Sequence, residues 1–381
     1  MIAVAKFRNF KALQCVDVEL APLTVFVGPN GSGKTSILEG IYLVSQIGHK
    51  SPRKLFVAAR SPCLLATGRL PKDGPFQFDQ MELSLRLTNE NEMQLEFDLP
   101  ANRNSGFDLL LKAKIGDSPF EHSIRGFALD SSRDSQIPSI VKNAVLLRLS
   151  ADEIAKPSYS RDSSPRVEFN GEGTASMLAH LKLADDPGYA QIVEGLQSLV
   201  PTVTGIRLKP TQVEKVVMEE VTIGDETRMF DRRRTFPGHE VLFDTQAGER
   251  LPGSLMSEGT LFCLGLLTIL YSPSRPELIL LDDLGSCLHP KAQKQVIDII
   301  RQVQRENPAL QVVATSHSPY LLDCLQPEEV RVTTLDENGY QLCAKLGDHP
   351  EFEKWKEVMT PGEFWSMVGE NWVTPTAEVA Q

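Results

Sequence analysis

The sequence predicts an α/β fold with a mixed central sheet, an antiparallel β subdomain and a helical insertion. Three observations carry this. Near the N-terminus an apolar run, a glycine-rich loop and a helically periodic stretch follow one another. Two more apolar runs, near 280 and 313, end in acids or hydroxyl residues. Between these islands lie alternating strands and one long helical pattern.

The first island begins with Leu23-Thr24-Val25-Phe26-Val27, whose β-branched and aromatic content reads as a buried strand. It runs into Gly28-Pro29-Asn30-Gly31-Ser32-Gly33-Lys34-Thr35, a match to the phosphate-binding pattern G-x-x-x-x-G-K-[ST], and Ser36 to Val44 has helical spacing. The glycines let backbone N–H groups turn around phosphate oxygens, and the helix N-terminus adds a favourable dipole. Asn30, Gly31, Ser32, Gly33, Lys34, Thr35 and Ser36 are therefore the candidate cradle for ATP. Lys34 is placed to reach the β- and γ-phosphates and Thr35 to offer its hydroxyl to Mg²⁺. A plain Gly-rich turn before a helix is the alternative, and the conjunction of strand, both glycines, Lys-Thr and helix outweighs it.

Downstream, Pro276 to Leu281 forms a second buried-strand run that delivers Asp282 and Asp283, the Walker B pattern. Asp282 is the candidate Mg²⁺ carboxylate and Asp283 the candidate group that orients or deprotonates the attacking water. Paired acids alone fit a strand-end turn equally well; a phosphate loop in the same chain reverses that balance. A third run, Leu310 to Ala314, presents Thr315-Ser316-His317-Ser318-Pro319. The next βα crossover brings His317 to the same carboxyl edge of a parallel sheet, where it can contact a γ-phosphate. Finally, Ser257-Glu258-Gly259-Thr260 opens the apolar helical stretch Leu261 to Tyr271. Ser257 and Gly259 suit a second phosphate contact, serving a nucleotide held by another subunit, although Ser257 also suits an ordinary N-cap.

Phosphate loop, S-x-G signature, Walker B and switch histidine, in this order, resemble the ABC-type P-loop ATPase superfamily. Finer features resemble its RecF-like and OLD-type AAA members, relatives of SMC heads: Phe7-Arg8-Asn9-Phe10-Lys11, the Ser-Glu-Gly-Thr signature, Leu288-His289-Pro290, Thr315 to Pro319 and Gly362-Glu363-Phe364-Trp365. The resemblance implies an ABC-type ATPase head and a homodimer whose two subunits face head to tail. Each ATP would lie between the P-loop of one and Ser257 and Gly259 of the other. It also implies that Leu288 to Pro290 communicates across that interface and that Arg8 to Phe10 lies near the adenine or the γ-phosphate. Gln77 and Gln80 are candidates for the Q-loop glutamine. Where the family pattern reads D-E-P-E-x-x-L-H-P, this chain reads Asp282-Asp283-Leu284-Gly285-Ser286-Cys287-Leu288-His289-Pro290. Aspartate in the place of the catalytic glutamate implies slow hydrolysis and a long-lived ATP-bound dimer.

Between the motifs, Gln80 to Pro100 and Gly106 to Ile115 alternate as half-exposed antiparallel strands, and Val145 to Leu149 reads as one more. Ser150 to Gly173 is turn-rich, with Ser158 to Ser164 expected as a mobile surface loop, and Ala175 to Leu199 as a helical insertion. The expected division is an ATPase lobe over 1–145, a helical and hairpin insertion over 146–250, and a second ATPase lobe over 251–381. No heptads appear, so no SMC-type coiled-coil arm is expected. Only 64 residues follow His317, which argues against an appended nuclease. Arg228, Arg232, Arg233 and Arg234 lie among Asp225, Glu226 and Asp231, and read as a solvated hairpin rather than a phosphate-binding patch.

The 381 residues carry a net charge of −11, with 41% hydrophobic and 23% charged side chains, so indiscriminate coating of nucleic acid is disfavoured. No apolar run is long enough for a membrane span, and Lys6, Arg8 and Lys11 interrupt any signal-like segment, so a cytoplasmic address follows. The six cysteines form no C-x-x-C pair. The expected function is an ATP-driven switch that acts on DNA or an effector protein, in antiphage defence or DNA maintenance, with an ATP-held scaffold of negligible turnover as the rival. A transporter subunit is disfavoured by the RecF-like opening, and GTP by the absence of N-K-x-D.

Overall fold

A computed structural model describes residues 1–46, 80–98, 108–115, 118–124, 139–184, 186–223 and 226–374. They form two compact units that interleave in sequence, one of 1–146, 276–286 and 301–381, the other of 147–275 and 287–300.

The first unit holds two sheets. Strands β1 (Ile2–Phe10), β2 (Leu13–Glu19), β4 (Gln80–Leu87), β5 (Glu92–Asp98), β6 (Asp108–Ile115) and β7 (Ser118–Ile124) form a wholly antiparallel sheet in the order β2-β1-β4-β5-β6-β7. The tight β1–β2 turn puts Asn9 and Lys11 in the left-handed region. The second sheet contains β3 (Leu23–Val27), β8 (Ala144–Leu147), β12 (Leu278–Leu281), β13 (Gln311–Thr315), β14 (Val330–Leu335) and β15 (Gln341–Lys345), in the order β15-β14-β3-β13-β12-β8. Pairs β12–β13, β13–β3 and β3–β14 are parallel and β14–β15 antiparallel, so the sheet is mixed. Continuous burial of β3, β12 and β13 explains their unbroken apolar runs, because helices cover both faces of such strands. Helix α1 (Lys34–Ser45) buries Ile37, Leu38 and Ile41 in a cluster with Phe7, Phe10, Phe26, Leu83 and Leu85.

The second unit is built on a ribbon far longer than the local charge pattern implies. Strands β9 (Val203–Ile223) and β10 (Glu226–Thr245) pair from Val203↔Thr245 to Ile223↔Glu226, and β11 (Arg250–Pro252) adds to β10. Arg232, Arg233 and Arg234 are exposed on β10, with Arg234 opposite Lys215. The helical pattern over 175–199 is interrupted: α2 (Thr174–Leu183) and α3 (Pro187–Leu199) are separate helices. The break lies at Asp186-Pro187, where the Asp186 carboxylate accepts from the Gly188 N–H at 2.7 Å and proline takes the first turn. Helix α4 (Glu258–Leu270) is buried along most of its length, which accounts for its lack of a polar face. Helix α5 (Pro290–Glu306) begins in this unit.

The serine-rich stretch expected to be mobile is anchored at its start. Ser158 is buried, bridges to His239 and hydrogen-bonds Ser176, while Tyr159 stacks on Phe236 with ring centres 4.4 Å apart. Burial pushes the pKa of the Cys263 and Cys343 thiols up to about 12. Among the described residues no helix is long and apolar enough to cross a membrane.

Candidate functional site

The site in the first unit is assembled at the carboxyl ends of β3, β12 and β13. The loop after β3 turns through Gly28, Gly31 and Gly33, all at positive φ. At Gly31 the backbone angle alone demands glycine, since open space surrounds it, whereas a Cβ on Gly28 would overlap the Thr333 carbonyl and one on Gly33 the Gln341 carboxamide. Ser32 is buried, its hydroxyl 2.8 Å from that of Thr333. Asn30 and Gly31 are exposed at the loop tip, and Ser36 closes the first turn by donating its N–H to the Gly33 carbonyl at 2.9 Å.

Lys34 folds back over its own loop, with Nζ donating to the Gly28 and Pro29 carbonyls at 2.9 and 2.8 Å. Desolvation lowers its pKa from the usual lysine value, opposed by Asp282, Asp283 and Glu370. Thr35 donates to both Asp282 oxygens, at 2.9 and 3.1 Å, and the Thr315 hydroxyl donates to Asp282 Oδ1 at 2.7 Å. Two hydroxyls and the N-terminal end of a helix thus converge on one carboxylate.

Asp283 follows in the left-handed region, at φ 63°. Its N–H donates to Thr315 Oγ1 at 2.8 Å, and the next N–H, of Leu284, donates to the Thr315 carbonyl at 2.7 Å. Its side chain is exposed. Aspartate tolerates this backbone better than glutamate because its short carboxylate can bond locally. His317, two residues beyond Thr315, has its pKa lowered by partial desolvation and by Lys34, against the pull of Asp283 and Asp282.

Ser257 and Gly259 belong to the second unit. Ser257 caps α4, accepting from the Thr260 N–H at 3.3 Å and sharing a 2.8 Å bond with the Thr260 hydroxyl. A Cβ on Gly259 would lie 2.7 Å from the Cys287 carbonyl oxygen, so glycine lets the start of α4 press against the chain entering Leu288-His289-Pro290. Arg8 pairs with Asp17 at 2.6 Å and Phe10 is buried. Gln80 opens β4, its carbonyl accepting from Asn9 Nδ2 at 2.9 Å, and Gln77 lies outside the described residues.

Sequence reasoning missed three residues around the loop. Thr333 and Gln341 come from β14 and β15, and Glu370 from the turn after helix α6 (Pro361–Val368). None stands in a motif; their nearness follows from sheet order, which places β14 beside β3.

A family model described as "AAA domain, putative AbiEii toxin, Type IV TA system" matches residues 23–323. The DNA replication and repair protein RecF of Vibrio vulnificus strain YJ016 is 35% identical over 116 residues, 30% of this chain and 26% of that one. The OLD nuclease of Thermus scotoductus is 50% identical over 44 residues, 12% of this chain and 8% of that one. The chain thus matches about a quarter or less of the length of these relatives. Among solved structures, the Smc head bound to the C-winged helix domain of ScpA aligns over 94% of this chain and 99% of that one, with a TM-score of 0.53 and 16% identity. The Pyrococcus furiosus Smc head with an extended coiled coil, bound to the C-terminal domain of ScpA, gives 0.55 at 13% identity, with the same coverage. These last likenesses concern the fold alone. The family match over residues 23–323, which takes in the loop and the acid pair, shows that the chain belongs to this AAA domain family.

Proposed function

We propose that this chain binds ATP, hydrolyses it slowly, and uses the cycle as a molecular switch in the cytoplasm. The observation that carries this is the convergence of Lys34, Thr35, Asp282, Thr315 and His317 at one sheet edge, with Asp283 beside them. The donor set suits Mg²⁺: one carboxylate and one hydroxyl, completed by phosphate oxygens and water, is how this ion is usually held in nucleotide sites. When bound it would neutralise phosphate charge, held by Thr35 and Asp282. Lys34 leaves the Gly28 and Pro29 carbonyls for the β- and γ-phosphates, and the loop from Asn30 to Ser36 supplies N–H groups. Asp283 orients the attacking water and accepts its proton as the new P–O bond forms and the γ-phosphate leaves ADP. Neutral His317 donates a hydrogen bond to the γ-phosphate.

In the same reading Ser257 and Gly259 meet the nucleotide of a second copy, so that ATP holds a homodimer. RecF relatives named for DNA replication and repair support DNA as the object of the switch, and Smc heads bound to ScpA support an effector protein. The toxin–antitoxin wording of the family description supports a role in defence. The short Asp283 side chain favours a second reading, an ATP-held scaffold with negligible turnover.

Hydrolysis and solution mass measured together decide between them, for wild type, Lys34→Ala and Asp283→Ala, with and without double-stranded DNA. ATP-dependent dimers with DNA-stimulated turnover support the switch. Dimers with negligible turnover in both conditions support the scaffold, and ATP binding untouched by Lys34→Ala refutes both.

A further inference from the structure

The wall behind the P-loop holds a buried polar group with no hydrogen-bond partner among the described residues. Thr333 is fully satisfied there: its hydroxyl donates to the Val27 carbonyl at 3.0 Å and shares a bond with Ser32. Gln341, only 2% exposed, fixes its own backbone by donating its N–H to the Ala12 carbonyl at 2.8 Å. Its carboxamide lies against Gly33, where the loop becomes α1. Both polar atoms, Oε1 and Nε2, are buried and have no hydrogen-bond partner among the described residues.

Buried amides are almost always paired, because leaving them unpaired costs free energy that a leucine or methionine of similar size would not incur. Buried Ser32, Thr315 and Thr333 around the same loop all have partners. A donor and an acceptor kept idle beside the one segment whose main chain must receive phosphates therefore belong to another state of the loop.

We propose that Gln341 is a positioning residue for the nucleotide: when phosphates draw the N–H groups of the loop, the Gly33 segment shifts and the carboxamide takes up hydrogen bonds with the loop main chain, holding it in its liganded shape. This rests on the reading of Gly28 to Thr35 as a nucleotide site. Because the carboxamide sits behind Gly33, it grips the backbone and not the base. Every nucleoside triphosphate that fills the loop gains alike.

The test is Gln341→Leu, with Gln341→Met as a second apolar replacement should the first fail to fold. Non-hydrolysable ATP and GTP analogues are titrated with Mg²⁺ by calorimetry, and each protein is melted without nucleotide. The expected result pairs opposite signs. Without nucleotide the variant melts at or about 1–4 °C above wild type, since an unpaired amide has gone. Both analogues bind about five- to tenfold more weakly, the worth of one or two hydrogen bonds. A lowered melting point with unchanged affinity marks a packing residue and overturns the proposal. So does a loss confined to the adenine analogue, which assigns base reading instead. Lys34→Ala is the control: analogue binding that survives it removes the nucleotide reading and the role of Gln341 with it, whereas binding lost in Lys34→Ala and intact in Gln341→Leu removes only the latter.

Discussion

Thr315→Val is the most telling single change at the site, because it deletes one oxygen and keeps the shape. That oxygen donates to Asp282 at 2.7 Å and accepts from the Asp283 N–H at 2.8 Å, in a residue 2% exposed. Losing the bond to a carboxylate costs about 1.5–3 kcal/mol, and leaving the Asp283 N–H unpaired roughly another 1 kcal/mol. A total near 3 kcal/mol corresponds to a melting point lower by about 4 °C in a protein of this size. The functional effect is larger than the stability effect suggests. The left-handed backbone at Asp283, which costs an ordinary residue roughly 1–2 kcal/mol, is held by that same N–H. Released, it moves the carboxylate by an amount on the order of 1 Å, and such a displacement lowers turnover about a hundredfold. Steady-state phosphate release and analogue affinity, measured below the melting transition of both proteins, read this directly. Turnover within threefold of wild type, with the melting point unchanged, would refute the account of Thr315 as the clamp on both acids.

Four further outcomes follow from the same geometry. Lys34→Ala should abolish detectable ATP binding in calorimetry, because it removes the cation that the proposed site offers to the β- and γ-phosphates. Asp283→Glu should raise turnover about tenfold and lower the melting point by about 1–2 °C, since the longer side chain reaches the water and glutamate fits φ 63° less well. Unchanged turnover there, with Lys34→Ala inactive, would sink the slow-hydrolysis argument. The lowered pKa of His317 means that the unfolded chain takes up a proton first as pH falls. Its contribution to stability is therefore complete above about pH 6.5 and declines below it, toward the folded pKa. The acid limb of the pH–rate profile, from loss of the neutral imidazole, should accordingly have its midpoint below 6.5; a midpoint at or above 6.5 contradicts it. Gly259→Ala should force the start of α4 away from Cys287. ATP-dependent dimer formation should then weaken about tenfold in sedimentation, with monomer ATP affinity unchanged.

Much of the first unit was legible because its chemistry is local in sequence. Gly28 to Thr35, Asp282-Asp283 and Thr315 to His317 each lie at the end of a continuous apolar run, and such runs are what a strand buried on both faces requires. The wall of the loop was not legible. Thr333 and Gln341 are ordinary strand residues, and only the order β15-β14-β3 brings them to Gly28 and Gly33. Glu370 acts on Lys34 from 336 positions away for the same kind of reason. Elsewhere, local patterns misled. The apolar period through 175–199 continues across a break that a capping aspartate and a proline impose, and the serine-rich stretch hides the pairing of Ser158 with His239. The great length of β9 and β10 was obscured because their many charged residues dilute the alternation that marks a half-buried strand.

The hold of Lys34 on its own loop bears on which anions the chain ignores. Nζ is tied to two carbonyls of the loop itself, so the cation is already engaged. A single orthophosphate or sulfate would have to break both bonds in exchange for one contact, with nothing attached to help seat it. A triphosphate exchanges the same two bonds for contacts along the whole loop and keeps its nucleoside as an anchor. Orthophosphate and sulfate are therefore expected to compete poorly with a nucleoside triphosphate for this loop, which competition calorimetry would check.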